Sequence, residues 1–428
     1  MAAPNYVAKD ILERLLGGGS VEDAQKKLRP RPPADFPLPP RIPAGIDYTA
    51  AGAEKRRAML AEQGIATGHL AGGGNAVRPE DLAGNIENFI GFAQVPVGVI
   101  GPLRINGMSA HGDFYVPLAT TEGALVASYH RGAYVVSQSG GAAAICMTEC
   151  VSRSPCFSFN SVAETGAFLA WALPRFDTLQ ETVATTSSHC RIVDLRTSVI
   201  GREVYLIFDF ETGDAAGQNM VTLATEAICK RLVADSPVKP QRWYLEGNMS
   251  GDKKATMIAF TSVRGKKVVA EASIPRTLLR RVIHIDPEEM VRYWELSVLG
   301  GLQSGSIGVQ GHFANALAAL FIACGQDAAC VSEASVGLTR MAVTDAGDLY
   351  VSVSLPNLIV GTVGGGTHLP TARECLEMLG CCGDGTARKF AEICAATALA
   401  GEVSIIGALA AGEFGQAHAA YGRRKKSS

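Results

Sequence analysis

The chain has almost no excess charge: 39 lysines and arginines against 41 aspartates and glutamates leave a formal net charge of −2. No global electrostatic case therefore exists for a nucleic-acid or membrane partner. Cysteine patterning is equally thin. Eleven cysteines is an odd number and no CxxC pair occurs, so neither a disulfide framework nor a zinc site is indicated, and no metal is expected. A reducing cytoplasm fits that usage best. No uncharged apolar run approaches membrane-spanning length, the nearest being broken by Glu402. Lys9, Asp10, Glu13 and Arg14 lie among the first apolar residues, a mixture that a secretory signal does not tolerate. No internal repeat is evident. What is present, 428 residues that are 47% hydrophobic and 19% charged, is the composition of a soluble globular protein of about two or three domains.

In chain order, residues 9–28 read as two short helices, the second capped by Ser20. Pro30, Pro32, Pro33, Pro37, Pro39, Pro40 and Pro43 make an extended linker of polyproline character, followed by a charged helix at about 52–63. Glycines and prolines divide 84–107 into short β-prone runs. Residues 120–139 read as a helix capped by Thr120 or Thr121, with Glu122 in its first turn. A carboxylate there ordinarily compensates the helix dipole. Desolvated among small apolar neighbours, it would instead have a raised pKa and carry protons near neutrality. From about 155 to 244 strands alternate with helices. A strand at 203–210 runs into a glycine-rich loop with Asp214, Gly217 and Asn219, then opens a helix. Amides at such a helix start can hold a phosphate; a plain strand–turn–helix connection reads equally well, and the pattern is neither GxGxxG nor a P-loop.

The stretch from Leu245 to Pro275 carries adjacent lysines, Lys253 and Lys254, after Asp252, on a loop loosened by Gly247, Ser250 and Gly251. Apolar runs at 255–263 and 267–274 flank Arg264-Gly265-Lys266, a hairpin signal. A cation at the mouth of a hairpin can stabilise an oxyanion, although an isolated Asp-Lys-Lys is ordinarily a solvated charge cluster. Further helices occupy 286–323. Asp327 falls in an apolar, small-residue setting where an unpaired charge is costly, so it needs a partner, and a lysine is the natural one. The glycines of 361–370 allow close backbone approach to a ligand, or simply mobility. A long small-residue helix spans 385–412, and the tail carries His418, which taken alone reads as a surface residue.

Together, ENFIG (87–91), PVGVIGPL (96–103), ATTEGALVAS (119–128), GDAAGQN (213–219), DKK (252–254), RGKKVVAEASIP (264–275), GQDAA (325–329) and GTVGGGT (361–367) resemble the hydroxymethylglutaryl-CoA reductases, of the class found in eukaryotes, archaea and some bacteria, over about 80–424. The resemblance implies an α+β fold. A large domain (81–154 and 245–428) is built round a central helix and interrupted by a small ferredoxin-like domain (155–244) that binds the nicotinamide cofactor; residues 1–80 form a helical, proline-rich region. It implies a homodimer or homotetramer with active sites between subunits, a coenzyme A thioester as substrate, and NADPH as cofactor, with NADH open. It gives roles as well: Lys253 meets the oxyanion, Asp327 keeps it charged in a dry site, Glu122 carries protons, and His418 protonates departing coenzyme A. Arg153, Asp252, Lys254 and Asn315 fall at substrate-binding positions, and Ser187, Asp214, Gly217, Asn219, Gly364, Gly365 and Arg423 at cofactor-binding positions. The chain departs from the family at four places. Glu246 stands for a serine that helps hold the acyl carboxylate. Ser187-Ser188 stands for a Ser-Arg pair, so that a 2′-phosphate contact would fall to Arg191 or Arg423. His130 replaces an asparagine, and Arg424 occupies the place of a regulatory serine.

Overall fold

The computed structural model describes residues 5–43, 47–73, 77–261 and 264–415. Two helices open it, α1 (Asn5–Leu16) and α2 (Val21–Leu28). The second starts at a capping box: the Ser20 hydroxyl accepts from the Asp23 amide at 3.1 Å and the Asp23 carboxylate accepts from the Ser20 amide at 3.0 Å. The proline-rich segment beyond is extended apart from a turn at 33–36, where the Phe36 amide donates to the Pro32 carbonyl at 2.9 Å, and it lies on the sheet. Prolines leave carbonyls without amide donors of their own, and the buried Arg104 guanidinium supplies donors to the carbonyls of Arg31, Phe36 and Pro37 while pairing with Asp113 at 2.7 Å. Helix α3 (Ala50–Glu62) follows, capped by Thr49.

Strands β1 (Val97–Gly107) and β2 (His111–Ala119) form an antiparallel hairpin; α4 (Leu125–Gln138) leads to β3 (Ala142–Arg153). The expected helix start at 120 lies too early. Thr120 Oγ1 accepts from the Glu122 amide at 3.0 Å, closing a turn, and Ala124 takes a left-handed φ of 71°, so the first helical residue is Leu125. Glu122 therefore precedes the helix, and it is exposed rather than desolvated.

Residues 155–244 hold β4 (Cys156–Ser158), α5 (Val162–Ala172), α6 (Phe176–Ala184), β5 (Arg191–Ile200), β6 (Glu203–Glu211), α7 (Gln218–Asp235) and β7 (Arg242–Tyr244). Their strands are antiparallel in the order β7-β4-β6-β5, over a buried cluster of Phe157, Phe159, Phe168, Phe208 and Phe210. The end of β3 continues this sheet by pairing Val151–Arg153 with β6. The chain then gives β8 (Gly265–Ile274), α8 (Arg276–Val282), α9 (Pro287–Gln303), α10 (Phe313–Ala323), the short α11 (Val331–Ala334), β9 (Leu338–Val343), β10 (Leu349–Leu358), α12 (Pro370–Met378) and α13 (Ala387–Ala410). The expected hairpin at 255–274 does not form among the described residues. Met257–Phe260 is a 3₁₀ turn with Met257 exposed, and β8 lies between β3 and β10, both antiparallel to it. A short apolar run does not disclose whether its partner is near or far in sequence.

Helix α13 is buried almost all round, as its apolar composition requires. Its length would suit a bilayer, yet 83% of its most apolar window is covered by the rest of the protein. Close packing against α4 depends on glycine: a Cβ on Gly132 would stand 1.8 Å from the Ala400 carbonyl oxygen, and one on Gly401 2.3 Å from the Tyr129 ring. The large unit is thus a helix of small residues wrapped by sheet and helices, of mixed α and β class.

Candidate active site

The loop before β8 is held in an unfavourable backbone shape. Asn248 and Lys253, neither of them glycine, take φ of 66° and 54°, a region that costs on the order of 1–2 kcal/mol per residue. Lys253 is fixed at both ends. Its amide donates to Glu333 Oε1 at 3.1 Å, and its ammonium lies 2.9 Å from Asp327 Oδ2. Asp327 follows α10 and caps the next turn, Oδ1 accepting from the Ala329 amide at 3.0 Å. Burial works to raise the Asp327 carboxyl, but the Lys253 contact, the Ala329 amide and Gln218 outweigh it and hold the group below its usual range. The hydrogen bond to Asp327 in turn raises the Lys253 ammonium. The predicted Lys–Asp partnership is present, though not in a dry setting: the two side chains are 44% and 37% exposed in the single chain.

Beneath the loop runs an alternating chain of charge. Arg153 Nη1 lies 3.3 Å from Glu246 Oε2 and 2.8 Å from Asp252 Oδ2. Arg264, itself buried, lies 2.5 Å from Asp252 Oδ1 and 2.8 Å from Glu333 Oε2. Arg153 Nη2 donates to Thr222 Oγ1 on α7 at 3.0 Å. Burial pushes Asp252 up, and the two guanidiniums more than reverse it. Glu246 folds onto its own loop, accepting from the Asn248 amide at 2.7 Å and the Ser250 hydroxyl at 3.0 Å. Lys254 is exposed and donates to the Asp252 carbonyl at 3.0 Å.

Glu122 and Asn315 form a separate pair, Nδ2 to Oε1, at 3.4 Å. Asn315 stands near the start of α10 and Asp327 beyond its end. The helix rise from residue 315 to 323 alone is about 12 Å. Among the described residues no hydrogen bond or ion pair joins Glu122 to Lys253; each keeps its own partner, Asn315 and Asp327. His130 is half-buried, and desolvation and then Arg41 push it down to about 4, leaving the ring neutral. His418, Arg423 and Arg424 lie outside the described residues.

The two glycine-rich loops meet. The Asp214 carbonyl accepts from the Thr362 amide at 2.8 Å, and Ala215 bridges Val363. Both Asp214 carboxylate oxygens are taken at the start of α13, by the Gly385 amide at 2.7 Å and the Ala387 amide at 2.9 Å, an anion placed on a helix N-terminus. A Cβ on Gly217 would stand 2.4 Å from the Thr212 side chain, whereas no atom lies within 4 Å of a Cβ on Gly364 or Gly365. That backbone face is open to a ligand. Asn219 is exposed in the first turn of α7. Ser187 closes a turn before β5 by accepting from the His189 amide at 3.1 Å, and Arg191 pairs with Glu211 at 2.6 Å. Sequence reasoning missed Glu333, Arg264 and Gln218 as members of this site; the need of buried charges for partners was the available signal, and it does not say which residues meet.

The family model described as Hydroxymethylglutaryl-coenzyme A reductase matches residues 52–423. The 3-hydroxy-3-methylglutaryl-coenzyme A reductase of Pyrococcus abyssi is 42% identical over 378 residues, 86% of this chain and 92% of its own. That of Aeropyrum pernix is 46% identical over 346 residues, 79% of this chain and 82% of its own. Among solved structures, the class II 3-hydroxy-3-methylglutaryl-CoA reductase from Streptococcus pneumoniae, bound to NADPH in open conformations, aligns with a TM-score of 0.64 at 18% identity, covering 83% of this chain and 86% of that one. The latter likeness is one of fold.

Proposed function

The chain belongs to the hydroxymethylglutaryl-coenzyme A reductase family, and from that premise we propose that it reduces hydroxymethylglutaryl-CoA to mevalonate and free coenzyme A with two equivalents of NADPH, feeding isoprenoid synthesis. The observation that carries this reading is the Lys253–Asp327 contact of 2.9 Å on a loop pinned by Glu333. NADPH supplies the two hydrides, and the open backbone at Gly364 and Gly365, the adjoining turn at Gly217, and Asn219 suit a bulky anionic ligand. Ser187 and Arg423 are assigned to the same cofactor; NADH remains a competitor for the test. Asp214 serves it by shaping the loop through its cap on α13.

At each reduction negative charge develops on the carbonyl oxygen, and the Lys253 ammonium meets it, held charged by Asp327. Glu122, with Asn315 beside it, carries protons at the carbonyl, and His418 protonates the departing thiolate, whose ordinary pKa is about 8.5. Arg153, Asp252 and Lys254 form the receiving end for the acyl carboxylate, Arg153 and Lys254 as its cations. The separation of Glu122 from Lys253 across α10, and the exposure of both, support an active site completed by a second copy in a homodimer or homotetramer.

We divide the chain into an N-terminal region (1–80), a large catalytic domain (81–154 and 245–428) and a cofactor domain (155–244). The order β7-β4-β6-β5, with helices between β4 and β5 and between β6 and β7, supports a ferredoxin-like reading of the last. Eleven free cysteines fit a cytoplasmic enzyme. The test is loss of reduced-nicotinamide absorbance with hydroxymethylglutaryl-CoA and each cofactor in turn. Two NADPH consumed per mevalonate is expected; no oxidation above background with either cofactor overturns the reading.

A further inference from the structure

Gln218 is the first residue of α7 and follows the left-handed Gly217. Its Nε2 lies 3.2 Å from Asp327 Oδ2, the same oxygen that the Lys253 ammonium contacts at 2.9 Å. That nitrogen also lies 3.1 Å from Cys330 Sγ. An ionised carboxylate only accepts hydrogen bonds, so the amide must turn its NH₂ toward Asp327, and its two hydrogens serve the carboxylate and the sulfur. Asp327 is thereby held on three sides: the Ala329 amide on Oδ1, and Gln218 and Lys253 on Oδ2. A lysine side chain is long and supple, and Lys253 springs from a backbone in the left-handed region. The place of its ammonium is therefore set by where Asp327 Oδ2 is held.

Gln218 reaches this oxygen from the stretch between 155 and 244, one residue after the glycine turn that faces the 361–364 loop. We propose that Gln218 is a positioning residue that fixes Asp327, and through it the Lys253 ammonium, relative to the glycine-rich loops at the start of α7. The inference rests on the reductase reading for what Lys253 does once placed. It acts through Asp327 and touches no reacting atom. The charged and titratable groups around the Lys253 side chain are Asp327, Cys330 and Asp252, with Glu333 on its amide.

Two variants test it. Gln218→Met keeps the length and removes both donors. Freed from one anchor, Asp327 turns, and turnover falls on the order of tenfold, as loss of a hydrogen bond to a charged group implies, while KM for thioester and cofactor changes less than twofold. Lys253 itself is followed by pH-dependent acetic anhydride labelling of the intact protein, read by mass spectrometry. Its apparent pKa drops in Gln218→Met because the ammonium loses its fixed partner. Gln218→Glu also keeps the length and serves where the methionine variant fails to fold. When ionised it sets a second carboxylate against Asp327, so turnover falls as pH rises through the new glutamate's titration, a limb absent from the parent enzyme. The proposal is overturned if Lys253 labelling is unchanged in Gln218→Met, if its turnover stays within twofold of the parent's, or if the Gln218→Glu profile superimposes on it. Should the parent protein itself oxidise no NADPH, the reductase reading fails, and the Lys253 labelling still decides the role of Gln218.

Discussion

Helix α13 and the loop around Lys253 both hold carboxylates, Glu392 and Glu402 fully buried and Asp252 and Asp327 partly exposed, and they satisfy them in opposite ways. On α13, Glu392 accepts from the amides of Ser109, Ala110 and Cys146 at 2.7–3.1 Å. Glu402 accepts from the amides of Gly311 and His312 and the Thr339 hydroxyl at 2.7–2.8 Å. The His312 ring near Glu402 is itself pushed down to about 4 by burial, so it brings no charge. With neutral partners burial wins: Glu392 is pushed up to about 7, and Glu402 is raised too. Around Lys253 the partners are cations, and the partly exposed Asp252 and Asp327 are lowered, whereas burial still raises Glu333, which lies wholly inside against Arg264. Neutral donors pin loops to a scaffold helix without fixing a charge. Cationic partners fix the charge where solvent also reaches the carboxylate, as at Asp327, and chemistry at a carbonyl requires that fixed charge.

Breaking the cationic side has the largest expected effect. Lys253→Ala should lower turnover by about two to three orders of magnitude, the usual cost of losing an oxyanion stabiliser, with a smaller effect on KM. Steady-state kinetics check it, and retention of more than half the parent turnover would remove Lys253 from the reaction. Next comes Arg264→Leu, which leaves the buried Glu333 without its cation and Asp252 with Arg153 alone. Breaking a buried pair from one side costs about 3–5 kcal/mol. Denaturant unfolding should register it, and a loss below about 1 kcal/mol would mean that the charge chain is not what holds the loop.

These two positions differ in how readable they were. Asp327 stands alone among small apolar residues, and that isolation alone points to a lysine partner. Arg264 read as a turn residue, because nothing local shows that it is buried between Asp252 and Glu333. The same division holds for the fold. Ser20, with its reciprocal cap, and α13, with its small apolar residues, carry their structure in local sequence. Strand β8 does not, since its partners β3 and β10 lie far along the chain, and the apolar run beside it was misread as a neighbouring strand. Glu122 was placed in a helix that begins three residues later, because a left-handed Ala124 carries no sequence signal. The family motifs brought Lys253, Asp327, Arg153 and Asp252 to notice together, but not Gln218, whose contact with Asp327 exists only once α7 is packed.

The neutral side of the comparison predicts a smaller, pH-dependent effect. With Glu392 raised from 4.5 to about 7 in the fold, its contribution to stability is fully present below about 4.5 and is lost as pH rises through 7. The amplitude is on the order of 3 kcal/mol. Unfolding free energies measured across that window should decline on its account, and Glu392→Gln should flatten the decline; an unchanged slope would mean that Glu392 is ionised in the fold as it is in the unfolded chain. Smallest is Glu246→Ser. Glu246 is turned onto its own loop and onto Arg153, so its removal should lower KM for hydroxymethylglutaryl-CoA severalfold at most. An improvement of a hundredfold or more would mean that its carboxylate repels the substrate's.

If Lys253 meets the oxyanion in both reductions, free mevaldehyde isolates the second. Turnover of Lys253→Ala should be measured on the thioester and on mevaldehyde side by side, with His418→Gln as the contrast. Equal losses on both substrates for Lys253→Ala are expected, with mevaldehyde reduction largely spared in His418→Gln because no thiolate departs. Parent-like reduction of mevaldehyde by Lys253→Ala would contradict the account.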